Sequence, residues 1–168
     1  MEDHKIYILD SNVFMEAHNR YYAFDIAPGF WDALIGHAET GRIISIDRVK
    51  KELDKGEDDL TTWANNSFHR WFAKTDDPAV IDAYRRIMEW ASNQGQYISS
   101  AKADLARDDN ADAWLVAYAL SKEGVVVTHE KPHPDIRTRI PIPNICRAFN
   151  VECTDIFQVL RALGVKLS

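Results

Sequence analysis

Short apolar runs alternate with longer helical patterns along the chain, and this alternation limits the fold more than any other feature of the sequence. The runs that predict buried strands are residues 5–9, 43–46, 125–128 and 151–153. A segment long enough for a helix separates each run from the next. Strands joined in this way need crossover connections, which place them parallel to each other under a cover of helices. The sequence therefore predicts an α/β fold with a short, mostly parallel central sheet.

Capping residues and apolar periodicity predict where the helices begin and end. Pro28 and Gly41 bracket one helix, and Asp47, as N-cap, and Gly56 bracket the next over residues 48–55. Residues 60–94 have a helical pattern twice over with a break at 76–78, and we interpret residues 58–95 as a helical excursion of the same domain. The other predicted helices are residues 12–19, 110–123, 143–149 and 154–163.

Length and composition fit one globular domain over residues 1–168. A chain of 168 residues buries enough surface, about two-thirds of it, to fold without disulfides. No apolar run approaches the ~18 residues that a membrane span needs, and no signal-peptide core precedes Asp10, so we expect a cytoplasmic protein without membrane contact. Cys146 and Cys153 lack metal-site spacing and are interpreted as reduced core residues. The net charge of -6 argues against a protein that coats nucleic acid non-specifically.

Four acidic residues follow predicted strands or lie on the helices beside them. Asp10 follows the first strand, Glu52 lies on the helix after the second, Asp112 opens the helix that leads to the third, and Glu130 comes shortly after that strand. Ligands of open α/β sheets bind at this edge. Clustered carboxylates repel each other and take up protons unless a cation neutralises them. Mg²⁺ or Mn²⁺ prefers such ligands and activates water, so the pattern predicts a metal-dependent enzyme that hydrolyses phosphodiester bonds.

The segments that carry these acids resemble the successive acidic motifs of PIN-domain ribonucleases in order and spacing. They are ILDSN at 8–12, VKKEL at 49–53, ADAWLVAYA at 111–119 and VVTHE at 126–130, and IPNIC at 142–146 resembles a separate PIN-like branch of that superfamily. The resemblance covers nearly the whole chain. It implies a three-layer α/β/α sandwich, Mg²⁺ or Mn²⁺ as cofactor and single-stranded RNA as substrate. It also implies the toxin role in a toxin–antitoxin pair, with an antitoxin and a second copy of the chain as partners.

Three of the acids have structural explanations that compete with metal binding. Asp10 is also a good cap for the helix that follows it, which is a common role for an Asp after a strand. Glu52 stands among charged neighbours, as an exposed helix residue does. Asp108 and Asp109 share with Asp112 the helix start, where negative charge is favourable. The Ala-Asp-x-x-Leu-x-Ala-x-Ala register selects Asp112.

The fourth acid departs from the family pattern. Glu130 stands where PIN domains more commonly have Asp. Asn12 and Thr128 are interpreted as supporting residues that orient a carboxylate or a metal-bound water, with local turn hydrogen bonds as the alternative. HEKPH at 129–133 matches the zinc-protease pattern HExxH, but it follows a strand and contains Pro132, so we reject a metalloprotease.

Two basic segments border the predicted acidic centre and are candidates for holding an RNA backbone. Their residues are Arg48, Lys50, Lys51, Lys131, Arg137 and Arg139. The sequence as a whole predicts a metal-dependent endoribonuclease, the toxin of a type II toxin–antitoxin pair. The alternative is a non-catalytic PIN-like protein that binds RNA or regulates another molecule, and the substituted acid at Glu130 is the argument for it.

Overall fold

The computed structural model describes residues 4–167, and these residues build a five-stranded sheet in which every strand pair is parallel. The strands are β1 (Tyr7–Leu9), β2 (Ile43–Ile46), β3 (Phe72–Ala73), β4 (Val125–Val127) and β5 (Cys153–Thr154). Their spatial order is β3-β2-β1-β4-β5. The predicted α/β fold with a parallel central sheet is confirmed.

Helices make up most of the remaining structure, and most of them lie where the sequence predicts. They are α1 (Ser11–Glu16), α2 (Pro28–Glu39), α3 (Asp47–Asp54), α4 (Asp59–Asn66), α5 (Pro78–Asn93), α6 (Ser99–Leu105), α7 (Asp112–Lys122), α8 (Ile142–Ala148) and α9 (Ile156–Ala162). Pro28 and Pro78 stand in the first turns of their helices, as expected for a residue without an N–H. None of the helices within residues 4–167 combines the length and the apolar composition that a membrane span requires.

Two predictions around the second strand are wrong. The segment from 58 to 95 is not wholly helical, because it contributes β3, which pairs with β2. Two residues are too few to show the alternation that marks a strand in a sequence. Asp47 does not cap α3, since its side chain accepts hydrogen bonds from the Thr75 N–H at 3.2 Å and the Thr75 hydroxyl at 2.8 Å. Asp47 therefore ties α3 to the chain that follows β3.

An aromatic cluster joins the excursion to the main core. Phe68, which is fully buried, packs edge-on against Phe14 with ring centroids 5.6 Å apart and stacks on Trp63 at 5.2 Å. Trp31 of α2 meets Trp63 from the other side at 4.7 Å. Such pairs add to the stability that burial of the rings already supplies. Residues from both parts of the chain therefore share one core.

The three central strands end at the same edge of the sheet because they are parallel. Asp10 follows β1, α3 begins directly after β2, and Thr128 follows β4. β4 approaches β1 closely at its start, since a Cβ on Gly124 would lie 2.6 Å from Ile8 Cδ1. A side chain at Gly124 would have to displace Ile8, and α7 ends just before this glycine, where Glu123 adopts a left-handed backbone conformation with φ of 55°. The acid-bearing segments meet at this edge.

Candidate active site

Asp10 lies at the carboxyl end of β1, where the chain turns directly into α1. Its side chain is buried, and its N–H donates to the Val127 carbonyl at 2.9 Å, which extends the pairing of β1 with β4. Carboxylate oxygen Oδ1 accepts the Ser11 N–H at 2.7 Å, and Oδ2 accepts the Thr128 hydroxyl at 2.8 Å. Asp10 therefore caps α1 and is also a buried acid tied to the neighbouring strand.

Thr128 is the junction of the hydrogen bonds around Asp10. Besides donating to Asp10, its hydroxyl oxygen accepts the Asn12 amide Nδ2 at 3.2 Å and the Glu130 N–H at 3.2 Å. Asn12 Oδ1 accepts the His129 N–H at 3.2 Å. Because its lone pairs are directed to these donors, the Thr128 proton points at Asp10. Asn12 and Thr128, the predicted supporting residues, thus orient the Asp10 carboxylate.

Glu52 turns inward from α3 toward the start of α7. Its Oε1 accepts the Ala111 N–H at 3.2 Å, so the carboxylate lies at the N-terminus of α7, where helix N–H groups and the helix dipole favour negative charge. The side chain is half-buried. The exposed-charge interpretation of Glu52 does not fit this contact.

Asp112 is the first residue of α7 and points into the same region. Its N–H donates to Asn110 Oδ1 at 2.9 Å, an Asx-type local contact. Within the described part of the chain, the Asp112 carboxylate accepts no hydrogen bond. The competing Asp109 is exposed and pairs with Arg107 and Lys55. Asp108 is exposed to solvent, so Asp112 is the acid at this helix start whose partly buried charge lacks a direct partner among the described residues.

Glu130 is bound by the protein through both of its carboxylate oxygens. Oε1 accepts Arg139 Nη2 at 2.6 Å, and Oε2 accepts the Ile142 N–H at 2.9 Å, at the start of α8. The segment 129–133 that carries Glu130 has no helical residue, so the HExxH match has no helix on which to place two histidines. Glu130 fastens the segment between β4 and α8, and it stands beside the other acids with its charge already compensated.

The four acids act on each other electrostatically, with Asp10 and Asp112 at the centre. Burial, together with the charges of Glu130 and Glu52, raises the pKa of Asp10 to about 7 although the Thr128 hydrogen bond lowers it. Burial and the charges of Asp10, Glu130 and Glu52 raise the pKa of Asp112 to about 8, against a lowering by Arg139. Near neutral pH the two carboxyl groups are therefore partly protonated unless a cation binds to them.

The donor chemistry of this cluster fits a hard divalent cation, while its arrangement is not that of a finished metal site. All four side chains offer carboxylate oxygens, the ligands that Mg²⁺ and Mn²⁺ prefer. Within residues 4–167, no three Asp, Glu, His or Cys side chains already converge on one position suited to a metal ion. Among the described residues, Oδ2 of Asp10 accepts only the Thr128 hydroxyl, and the Asp112 carboxylate accepts no hydrogen bond. These oxygens are therefore the ones most available to a metal ion.

The predicted basic residues divide into engaged and exposed side chains. Arg48 donates to the Thr75 hydroxyl at 3.2 Å and lies 4.0 Å over the Trp114 ring, while Lys50 pairs with Asp54 at 2.8 Å. Arg139 is held by Glu130, as described above. The remaining members are exposed: Lys51, Lys131 and Arg137.

A small cavity of about 210 Å³ opens beside Asp112 and Glu130, with Arg139 in its wall. Sequence reasoning missed the parts that Ser11, Asn110 and Arg139 play around the acids. The spacing of Asn110 and Asp112 is a known signal for an Asx turn. No local signal connects Arg139 to Glu130, nine residues earlier, because that pairing depends on how the loop between them folds.

Comparison with known proteins gives one family and a shared fold. A family model described as a domain of unknown function, DUF4411, matches residues 7–167. The comparison with curated proteins found no match. VapBC2 from Rickettsia felis, solved bound to a DNA fragment from its promoter, gives a TM-score of 0.56 at 14% identity, over 89% of this chain and 98% of that chain. FitAcB from Neisseria gonorrhoeae gives 0.55 at 17% identity, over 90% and 99%. At these identities the likeness is one of fold, and the expected PIN-like fold is confirmed.

Proposed function

This chain belongs to the DUF4411 family, and we propose that it is a metal-dependent endoribonuclease that hydrolyses phosphodiester bonds of single-stranded RNA. The observation that carries the proposal is the pair formed by Asp10, which is buried, and Asp112, which is partly buried; burial and neighbouring acids raise their pKa values to about 7 and about 8. Negative charges without an ion-pair partner cost stability at such positions. If these acids served only the fold, replacing them with amides would therefore stabilise the protein. Binding of a divalent cation would explain why carboxylates occupy these two positions.

In this proposal Asp10 and Asp112 hold Mg²⁺ or Mn²⁺, with Glu52 and Glu130 as the outer carboxylates. The bound metal supplies an activated water and neutralises charge on the phosphate. Thr128 orients Asp10 and favours its ionised form by donating to it, and Asn12 keeps the Thr128 hydroxyl in that orientation. Glu52 also holds the first turn of α7, which carries Asp112, through the Ala111 N–H.

The fold neighbours and the family resemblance support a toxin role. VapBC2 and FitAcB are toxin–antitoxin complexes, which supports an antitoxin as partner of this chain. We therefore propose that the chain is the toxin of a type II toxin–antitoxin pair. Single-stranded RNA as substrate and a homodimer as the working assembly rest on the family resemblance.

The test is cleavage of a labelled single-stranded RNA by the purified full chain in Mn²⁺. We expect cleavage that stops with EDTA, returns when Mn²⁺ is added in excess, and is absent in Asp10→Asn. Asp108→Asn is the matched control, because Asp108 is an exposed acid close to the same helix start. Cleavage that persists both in EDTA and in Asp10→Asn would contradict the proposal and point to a contaminating nuclease.

One observation favours the non-catalytic alternative. Glu130 uses both oxygens on Arg139 and Ile142, and within residues 4–167 the acids do not yet converge on a metal position. A protein that only binds RNA would retain RNA in gel-shift assays without cleaving it, in Mg²⁺ and in Mn²⁺ alike. It would also show no metal-induced rise in melting temperature.

A further inference from the structure

A groove runs along the outer side of α3, between this helix and the chain that follows β3. Its volume is about 520 Å³. We call it the α3 groove, and its lining includes Lys50, Lys51, His69, Phe72, Lys74 and Trp114. The groove adjoins the acid cluster, because Arg48 in its wall and Glu52 of the cluster lie one helical turn apart on α3.

Charge distinguishes the α3 groove from the rest of the molecule. Four Lys and Arg side chains line it against two Asp side chains, in a chain whose net charge is -6. The cavity of about 480 Å³ on the opposite side of the acids, beside β5, has Lys131 and Arg147 balanced by Glu130 and Asp155. A polyanion that approaches the acid cluster is therefore attracted from the α3 side and not from the β5 side.

The basic side chains of the groove differ in how available they are to a ligand. Arg48 is held by Thr75 and by the Trp114 ring, and Lys50 is paired with Asp54. Lys51 and Lys74 are exposed, and neither side-chain ammonium group has a hydrogen bond or ion pair with another described residue. An ammonium group without a partner breaks no ion pair when it contacts phosphate.

Arg48 shapes the groove from within. The Thr75 hydroxyl donates to Asp47 and accepts a hydrogen bond from Arg48 Nε. The Arg48 guanidinium covers one face of the Trp114 ring, and the other face stacks on Tyr84 at 3.8 Å. This chain of contacts fixes the segment that carries Lys74 against the helix that carries Lys51. Both faces of Trp114 are covered, so the ring is part of the wall and does not stack on a base.

We infer that the α3 groove binds the phosphate backbone of single-stranded RNA on its way to the acid cluster, with Lys51 and Lys74 as the phosphate contacts. Arg48 is a positioning residue that holds the two sides of the groove together. The inference rests on the proposed nuclease function, and it selects one of the two basic segments as the binding path. Lys74, which the sequence reasoning did not consider, joins this path because β3 brings it beside α3.

Fluorescence anisotropy with a labelled single-stranded RNA of about 12 nucleotides tests the path, in EDTA so that no metal-dependent cleavage occurs. We expect Lys51→Gln and Lys74→Gln each to weaken binding by about threefold to tenfold, and each to reduce the salt dependence by about 0.7 in log–log slope. Lys131→Gln tests the other basic segment by removing an exposed lysine from the β5 side, and if the α3 groove is the binding path this change should leave binding unchanged.

The outcomes separate this inference from the proposed function. If Lys131→Gln weakens binding more than Lys51→Gln and Lys74→Gln do, or if none of the three changes it, the α3 path is wrong, whatever the cleavage assay shows. A wild-type chain that binds no RNA overturns it too. If Lys51→Gln and Lys74→Gln weaken binding but neither Mg²⁺ nor Mn²⁺ gives cleavage by the wild type, the inference about the groove is supported and the nuclease proposal is wrong. Melting temperatures of the three variants should equal that of the wild type, since all three lysines are exposed.

Discussion

The inner and outer acids of the cluster are stabilised in different ways. Asp112, at the centre, accepts no hydrogen bond within the described chain, and Asp10 has hydroxyl and N–H donors but no cation. At the periphery, Glu52 accepts a helix N–H and Glu130 is paired with Arg139. Burial and the neighbouring carboxylates raise the pKa of both inner acids.

This difference shows which charges the protein compensates by itself. The outer carboxylates are held in place by groups of the fold, so their positions are determined without a ligand. Neither inner carboxylate forms an ion pair with a residue in the range 4–167, and Arg139 offsets the charge of Asp112 only in part, which is expected where a ligand provides the missing charge. We therefore expect changes at the inner pair to act on metal binding and cleavage, and changes at the outer pair to act more on stability.

The largest expected effect is that of Asp10→Asn. We expect cleavage to fall by about 10³-fold or more, because the amide removes a charge that the metal would balance. The rise in melting temperature that Mn²⁺ gives to the wild type should shrink as well, which differential scanning fluorimetry measures without any substrate. Asp108→Asn should keep both properties. An Asp10→Asn variant that still gains stability from Mn²⁺ would remove Asp10 from the metal site.

Stability should depend on pH through the inner pair. The folded protein holds protons on Asp10 and Asp112 with pKa values of about 7 and about 8, whereas the unfolded chain releases them near 3.8. The metal-free protein should therefore lose stability as pH rises from about 4 to about 8, by up to about 1.4 kcal/mol per pH unit for each proton.

Urea unfolding at pH 5, 6, 7 and 8 in EDTA measures this slope. Asp112→Asn should flatten it and raise stability at pH 8, since the amide carries no charge to bury. A wild-type protein whose stability rises over this range would contradict the assigned pKa shifts. Mn²⁺ should stabilise the wild type more at pH 8 than at pH 5, because protons compete with the metal at low pH.

Glu130→Gln should separate the outer acids from the inner ones. We expect it to cost about 1–2 kcal/mol of stability, because it weakens the contacts to Arg139 and Ile142. Cleavage should fall far less than in Asp10→Asn. Arg139→Gln removes the same ion pair from its exposed side and should destabilise the protein less. If Glu130→Gln abolishes cleavage as fully as Asp10→Asn, Glu130 belongs with the inner acids.

The smallest effect is expected for Thr128→Val. The Thr128 hydroxyl lowers the pKa of Asp10, so its loss should raise that pKa further and shift the acid limb of the pH–rate profile to higher pH, by less than one unit. Cleavage at high pH should remain close to that of the wild type. Thr128→Ser keeps the hydroxyl and should keep the wild-type profile. Equal profiles for the valine and serine variants would show that the hydrogen bond does not tune Asp10.

Much of the fold was predictable because its signals are local. The apolar run before Asp10, the Pro and Gly residues that bound α2 and the repeated valines of β4 each indicate their element within a few residues. β3 and α6 were missed because the strand has two residues and the helix buries only Ala101 and Leu105. The prediction of Asp47 as the N-cap of α3 was wrong because an Asp before a helix commonly caps it. The hydrogen bond that Asp47 accepts from Thr75 spans 28 residues and leaves no local signal.

The sequence by itself determined that acids follow successive strands, and a parallel sheet necessarily collects them at one edge. Tertiary structure alone decided how each acid is used. It turned Glu52 inward onto the Ala111 N–H, paired Glu130 with Arg139 and left the Asp112 carboxylate without a hydrogen bond from any residue in the range 4–167. The physical reason is that the order of strands and acids is encoded locally, whereas compensation of a buried charge depends on groups brought close from distant parts of the chain.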